Sequence, residues 1–280
     1  MDLSQWVVRI LKKTRVLPYM RFNLRAVING SRFVIPLVES IGYSNFFLKE
    51  PWMYSLVRSL QSFKKGIFID VGANLGQTLL VVRSVSRELK YIGFEPNPTC
   101  AYYLGELIRV NKFVDVRIVP AAIYNFDGAL SLSVSPGDKA DSCATLLHDF
   151  NGASDREQIV TKAVSARSLN FLLDEEIAII KIDVEGTELE VIKELYGCIT
   201  RFRPFIICEI LPAYSIENLI RIERQTKVEE LLKMSNYQMA IIDTKINVVD
   251  SIPIHSDIDR CNYLFFPSET IGLISLLMTQ

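Results

Sequence analysis

Three short runs of the 280-residue sequence combine acids, glycines and one lysine at strand-end spacing, and any chemistry starts there. The first is Asp70-Val71-Gly72-Ala73-Asn74-Leu75-Gly76, which closes an apolar run and opens an amphipathic one. Gly72 permits a tight turn with close backbone approach to a ligand, and Gly76 lets the following helix begin beside the strand. The first N–H groups of such a helix favour an anion such as a carboxylate. The second run ends in Glu95, roughly 20 residues further on, where an acid can accept hydrogen bonds from both hydroxyls of a ribose. Pro96, Asn97 and Pro98 then hold an extended backbone suited to lie against a purine ring. The third run is Lys181-Ile182-Asp183-Val184-Glu185-Gly186-Thr187-Glu188. Alternate side chains of an extended chain share a face, so Lys181, Asp183 and Glu185 point to one mouth. An ion-paired strand end in which Asp183 or Thr187 caps the next helix is the alternative reading.

The first turn discriminates between nucleotide ligands. A pyrophosphate-binding turn reads G-x-G-x-x-G, whereas here Asp70 precedes the first glycine and Asn74 replaces the second. A pyrophosphate beside Asp70 is repelled, and a ligand with both an ammonium and a carboxylate is suited. Together with a ribose site at Glu95, this points to S-adenosylmethionine. The predicted cofactor contacts are Asp70, Gly72, Asn74, Gly76, Glu95, Pro96, Asn97 and Asp183.

These residues need a sheet to present them. Near-continuous apolar runs at 66–71, 91–94, 116–119, 177–182 and 205–210 alternate with helical patterns at 77–89, 100–111, 188–196 and 219–234. Such alternation predicts a doubly wound α/β sheet, buried on both faces, with ligands bound outside the carboxyl ends of its strands. The last two strands, 237–242 and 261–266, have no helix between them and are read as antiparallel. The long stretch between the third and fourth parallel strands should hold two extra strands, 130–134 and 159–164, and a loop at 136–142 lying over the ligand face. Ahead of the main domain, assigned to 63–280, residues 1–62 read as an extension: a helix, a hairpin turning at Asn29-Gly30, and a connecting helix around Trp52.

With 31 basic and 32 acidic residues, nothing in the overall balance draws the chain to nucleic acid. Five scattered cysteines argue against a disulfide framework or a zinc site and are read as reduced thiols. No stretch reaches the ~18 apolar residues of a membrane span, and the N-terminal residues lack a signal-peptide pattern, so a cytoplasmic protein is expected. The opening helix carries Trp6, Val7, Ile10 and Leu11 on one side. It is expected to dock on the protein's own core, with weak peripheral membrane contact as the alternative.

DVGANLG, FEPNP, KIDVEGTELEVI and the strand Phe205-Ile206-Ile207-Cys208-Glu209 together resemble the FkbM family of methyltransferases, over roughly 63–267. The tail Cys261-Asn262-Tyr263-Leu264-Phe265 is similar to that family's last strand. The resemblance implies a seven-stranded, Rossmann-like class I methyltransferase sheet and methylation of an oxygen on a sugar, glycan or secondary metabolite. It also implies that Asp183 and Glu185 line the reacting centre.

Transfer from a sulfonium is an in-line displacement that mainly requires alignment and exclusion of water, while an alcohol acceptor must also lose its proton. The groups placed to take it are Asp183, Glu185, Glu209 and His255, with His148 in the long insertion as a further base. A divalent metal on Asp183, Glu185 and Glu209 is a second way to activate the acceptor, although no metal site is assigned. A module that binds the cofactor without transferring a methyl group is a third reading. The expected partner is a small-molecule or saccharide acceptor. The sequence does not specify an oligomeric state.

Overall fold

The computed structural model describes residues 3–14, 16–48, 50–147, 155–243 and 245–278, but not the side chains of 3–7 or 278. The chain begins with α1 (Leu3–Lys13), the hairpin β1 (Arg21–Ile28) and β2 (Ser31–Val38), the single turn α2 (Tyr43–Phe46), and α3 (Pro51–Phe63). Ile28 pairs with Ser31, leaving Asn29 and Gly30 as a two-residue turn in which both have positive φ, as an Asn-Gly hairpin requires. Within α1, Val8 is buried, Arg9 lies over Phe47 and Lys12 over Tyr43. Trp6 and Val7 lie outside the described side chains.

The central sheet is built from β3 (Ile67–Val71), β4 (Tyr91–Phe94), β5 (Val116–Val119), β9 (Ile177–Ile182), β10 (Phe205–Glu209), β11 (Tyr237–Ile242), β12 (Ile246–Val249) and β13 (Asn262–Pro267). Their order is β12-β11-β13-β10-β9-β3-β4-β5, with β13 antiparallel to both neighbours. Seven of these strands form the expected doubly wound sheet with its antiparallel last strand. The eighth, β12, folds back on β11 at the edge; its four residues are largely solvent-facing and give little apolar signal.

Alternation along β3 splits the core. Ile67, Ile69 and Val71 face one layer with α6 (Glu188–Glu194), α7 (Tyr196–Phe202) and α8 (Leu219–Met234). Phe68 faces the other, with α3, α4 (Gln77–Val85), α5 (Pro98–Asn111), the N-terminal hairpin and Ile274 of α9 (Ile271–Met278). The N-terminal elements therefore bury their apolar side in the core shared with α4 and α5. No helix of the described residues is long and apolar enough to cross a membrane.

Two helices end earlier than their apolar patterns suggest. The guanidinium of Arg83, 1% exposed, donates to the carbonyls of Arg87 (2.7 Å), Leu89 (2.8 Å) and Val114 (2.6 Å). These bonds draw the chain out of α4 after Val85. The single helix expected at 188–196 becomes α6 and α7, divided at Leu195.

The insertion forms a separate sheet of three strands rather than two, in the order β6-β8-β7: β6 (Ala122–Ile123), β7 (Gly128–Val134) and β8 (Glu157–Val164). Thr161 Oγ1 donates to Pro96 O at 2.5 Å, fastening this sheet beside the Glu95 turn. His148 lies outside the described residues.

The ends of β3 and β9 approach so closely that position 72 has no room for a side chain. Asp183 N donates to Val71 O at 2.9 Å, and a Cβ on Gly72, whose φ is +87°, would lie 1.7 Å from Asp183 O. Gly72→Ala should therefore lower stability by about 2 kcal/mol or more, as strained backbone and overpacking combine. Urea unfolding of both proteins checks it; a loss within experimental error would show that the two strand ends can separate.

Candidate active site

The ends of β3, β4, β9 and β10 enclose a cavity of about 360 Å³, within the roughly 300–1,000 Å³ range of small-molecule sites. Its floor is the turn after β3. Gly72 N and Ala73 N both donate to Phe94 O at 3.0 Å, tying this turn to the end of β4. Asn74, with φ +45°, donates its N–H to Glu95 Oε2 at 2.7 Å, and Asn97 N donates to Glu95 Oε1 at 2.7 Å. Glu95 is thus clamped by the two turns it separates. Gly76 is the N-cap of α4 and supplies no side-chain acceptor, while Gln77 and Thr78 line the cavity. The first N–H groups of α4 are left for an anion.

The opposite wall is acidic. Asp183, Glu185, Glu209 and Glu50 line the cavity with one ammonium, Lys181 Nζ, which donates to Asp183 Oδ2 at 2.8 Å. Burial pulls the Lys181 pKa down, but the charges of Asp183, Asp70 and Glu209 together outweigh it, and the group is held protonated above its ordinary range. The carboxyls move the other way. Burial, then the charges of Asp183 and Glu209, push Glu185 up to about 8. Burial and Asp183 push Glu209 up to about 7 against the pull of Lys181. Burial lifts Glu95 to about 7 despite its two backbone N–H donors, and burial also raises Glu50. The site holds more buried acid than its single lysine can neutralise, which favours a cationic ligand.

The insertion closes the far side. Asp141 accepts from Ser135 N at 2.7 Å, Cys143 N at 2.9 Å and Arg156 Nη2 at 2.8 Å, and Thr145 Oγ1 donates to Glu185 O at 2.7 Å. Asp141 and Ser142 line the cavity, as the loop reading expects. Glu185, with φ +52°, is therefore presented by a strained turn buttressed from the insertion.

The residues singled out from sequence divide into two groups. Gly72, Asn74, Glu95, Pro96, Asp183, Glu185 and Glu209 line the cavity. Asp70, Gly76, Asn97 and His255 do not. Asp70 shares a strand face with Phe68, is 0% exposed, and accepts from Tyr91 Oη beneath the cavity floor; burial raises its carboxyl to about 6. Asn97 caps α5, accepting from Thr99 N at 2.9 Å while its Nδ2 donates to Lys139 O at 3.1 Å. His255 lies on a connection that returns to the Glu209 end of β10, where Tyr214 N donates to His255 O at 3.0 Å, but its ring does not line the cavity. β12 reverses the chain after β11, and the return crosses α8, where Ile252 N donates to Glu229 Oε1. The ring of His255 then faces Tyr263 Oη, 3.5 Å away. Glu50, Trp52, Met53 and Asn262 line the cavity without having been anticipated as site residues. Asn262 carries a signal, since it pairs with Glu209 at the start of the last strand. Among the described residues no group of three His, Cys, Asp or Glu is arranged to hold a metal ion.

The raised carboxyls set the sign of the pH dependence. A folded-state pKa above the ordinary 4.5 means that the folded protein binds the proton more tightly, a stabilisation present in full below about 4.5 and lost as pH rises through about 7 to 8. Every tenfold gain in proton affinity on folding corresponds to about 1.4 kcal/mol. Ligand-free Glu185→Gln should therefore come closest to the parent in stability below about pH 4.5 and exceed it by several kcal/mol, about 1.4 for each tenfold, at pH 8.5. Urea unfolding at pH 4 and pH 8.5 decides; a variant less stable at pH 8.5 would mean that Glu185 is not held in this environment.

Comparison with known proteins adds a family. The sequence model for the methyltransferase FkbM domain matches residues 70–239. No curated protein matches the sequence. Similar solved structures include the methyltransferase FkbM from Methylobacillus flagellatus KT, at 14% identity and a TM-score of 0.46 over 72% of this chain and 44% of that one. A putative caffeoyl-CoA O-methyltransferase from Staphylococcus aureus aligns at 12% identity and a TM-score of 0.47 over 95% of this chain and 100% of its own. An O-methyltransferase from Bacillus cereus in complex with SAH aligns at 12% identity and a TM-score of 0.45, covering 78% of this chain and 81% of its own. This chain spans less than half the length of the first of these. With the cavity-lining turn at 72–74, Glu95, and Asp183 with Glu185 all inside the matched segment, the chain belongs to the FkbM methyltransferase family.

Proposed function

We propose that this protein methylates an oxygen of a small-molecule or saccharide acceptor. Its cofactor is S-adenosylmethionine. The observation that carries the reading is the excess of buried, proton-retaining carboxyls around one cavity. When bound there, S-adenosylmethionine supplies an electrophilic methyl carbon on a cationic sulfur.

The chain's own groups divide the remaining work. Glu95 offers its carboxylate to ribose hydroxyls, and Gly72, Asn74 and Pro96 shape the surface beside it. Gln77 and Thr78 present the open helix end to a carboxylate. Glu185 and Glu209 have pKa values near neutrality, the range in which a side chain removes a hydroxyl proton most effectively. Asp183, held by Lys181, orients the acceptor hydroxyl between them. The side chains of Leu132 and Leu146, with the Thr145 latch, help keep water from the reacting atoms.

The electrostatics give a test that needs no acceptor. A cation entering this cavity lowers the pKa of its carboxyls, so binding releases protons below about pH 8. S-adenosylmethionine affinity should rise from pH 6 to 8 and then level off, while S-adenosylhomocysteine, with a neutral sulfur, should show a shallower slope. Calorimetry in buffers of different ionisation enthalpy reads the proton count; equal slopes, or no binding of either compound, would overturn the reading. With an acceptor found by radiolabelled methyl transfer to a panel of alcohols, Glu185→Gln and Glu209→Gln should each lower turnover by roughly 10²-fold or more. Each variant should also lose part of the rise in S-adenosylmethionine affinity between pH 6 and 8.

A further inference from the structure

The segment ahead of the main sheet reaches into the cavity at one place, the junction before α3. Asn45, 0% exposed, donates from Nδ2 to Leu75 O at 2.6 Å, and Gln77 Nε2 reaches Ser44 Oγ at 3.4 Å. Residues 44–45 therefore touch the turn after β3 and the first residue of α4, and Glu50, Trp52 and Met53 follow as cavity lining. Glu50 is the N-cap residue of α3, yet its side chain makes no capping bond. Its Oε2 is buried and has no hydrogen-bond partner among the described residues. A carboxylate oxygen withdrawn from water without a donor is unfavourable, and a buried acid of this kind is expected to meet one when a ligand arrives.

The neighbouring features indicate which donor. The open N-terminus of α4, lined by Gln77 and Thr78, suits the carboxylate of the methionine moiety, and an α-ammonium sits one carbon away from that carboxylate. Its partner must accept hydrogen bonds, carry negative charge and stand beside the start of α4. Glu95, already holding the backbone N–H groups of Asn74 and Asn97, is assigned to the ribose, and Asp183, paired with Lys181, to the acceptor. Asp70, although one of its oxygens is likewise unpartnered, accepts from Tyr91 Oη with the other and does not line the cavity. Glu50 is carried by the helix that packs on α4. We propose that the free carboxylate oxygen of Glu50 receives the α-ammonium of S-adenosylmethionine, so that the N-terminal segment completes the amino-acid end of the cofactor pocket. Trp52 and Met53, on the same first turn of α3, wall this end.

The inference rests on the cofactor reading above, and three ligands separate the two. S-Adenosylmethionine and S-adenosylhomocysteine carry the α-ammonium; methylthioadenosine keeps the adenosine and sulfur without it. In calorimetry at pH 7.5, Glu50→Gln should weaken binding of the first two by about 10- to 100-fold, the loss of a hydrogen bond to a charged group. Methylthioadenosine should bind the variant and the parent alike, which also shows the pocket intact. Deaminated S-adenosylhomocysteine gives a second route: the parent should discriminate against it relative to S-adenosylhomocysteine, and Glu50→Gln should discriminate far less. Unchanged S-adenosylmethionine and S-adenosylhomocysteine affinities, or an equal loss for methylthioadenosine, would overturn the assignment of Glu50. Failure of the parent protein to bind any of the three would instead overturn the cofactor reading itself.

Discussion

Everything at the cavity hangs on the backbone contact between the ends of β3 and β9. Asp183 N bonds to Val71 O, and the carbonyl of Asp183 occupies the space where a side chain on residue 72 would sit. The βα connections of two neighbouring strands thereby share a floor. One sends Asn74 to Glu95 and opens α4; the other brings Asp183 and Glu185 to the rim. In an open parallel sheet these connections leave from the carboxyl edge by topology. The missing Cβ brings them within reach of a single ligand.

That closeness has an electrostatic consequence. Lys181 is paired in register with Asp70 on one side and Ile207 on the other, placing its ammonium among Asp70, Asp183 and Glu209. One buried cation serves three acids, with Glu185, Glu50 and Glu95 beyond them, so several of these carboxyls keep their protons near neutrality. The arrangement is poor for the stability of the ligand-free fold, because each withdrawn carboxyl resists ionisation. It is favourable for a ligand that brings positive charge. In the function proposed above, the same acids that destabilise the apo state at high pH serve cofactor recognition, and Glu185 and Glu209, at about 8 and about 7, act on the acceptor proton. Stability and function pull these residues in opposite directions, as they do wherever charge is preorganised for a reaction.

How much of this was legible in the sequence follows from how local each signal is. The turn at 70–76, the acid ending β4 and the run Lys181–Glu188 are contiguous motifs, and each lies at a strand end that apolar patterning already marks. Their assembly into one site follows from the sheet topology alone. Asp70 shows the limit: its place in the motif suggested ligand contact, but the two-residue period of β3 turns its side chain under the floor toward Tyr91. The ring of His255 misses the cavity because it turns toward Tyr263 Oη, a contact that the sequence pattern does not show. Glu50 was invisible for a different reason. Glu50-Pro51 reads as an ordinary helix start, and only the packing of α3 on α4 carries it to the cavity.

The N-terminal extension therefore does more than cover apolar surface. Its hairpin and helices share a core with α4 and α5, including Ile35, Leu37 and Val57 at 0% exposure alongside Leu79 and Leu104. Packing of that quality fixes the junction before α3 relative to the turn after β3, and Asn45 adds a buried bond to Leu75 O. A side chain held this way needs little reorganisation when a ligand arrives, so the apolar contacts of the extension translate into the position of one carboxylate. The sheet lines the pocket from its own strand ends with Gly72, Glu95, Asp183 and Glu209. The extension, outside the matched family segment, adds Glu50, Trp52 and Met53 to the lining of the same cavity.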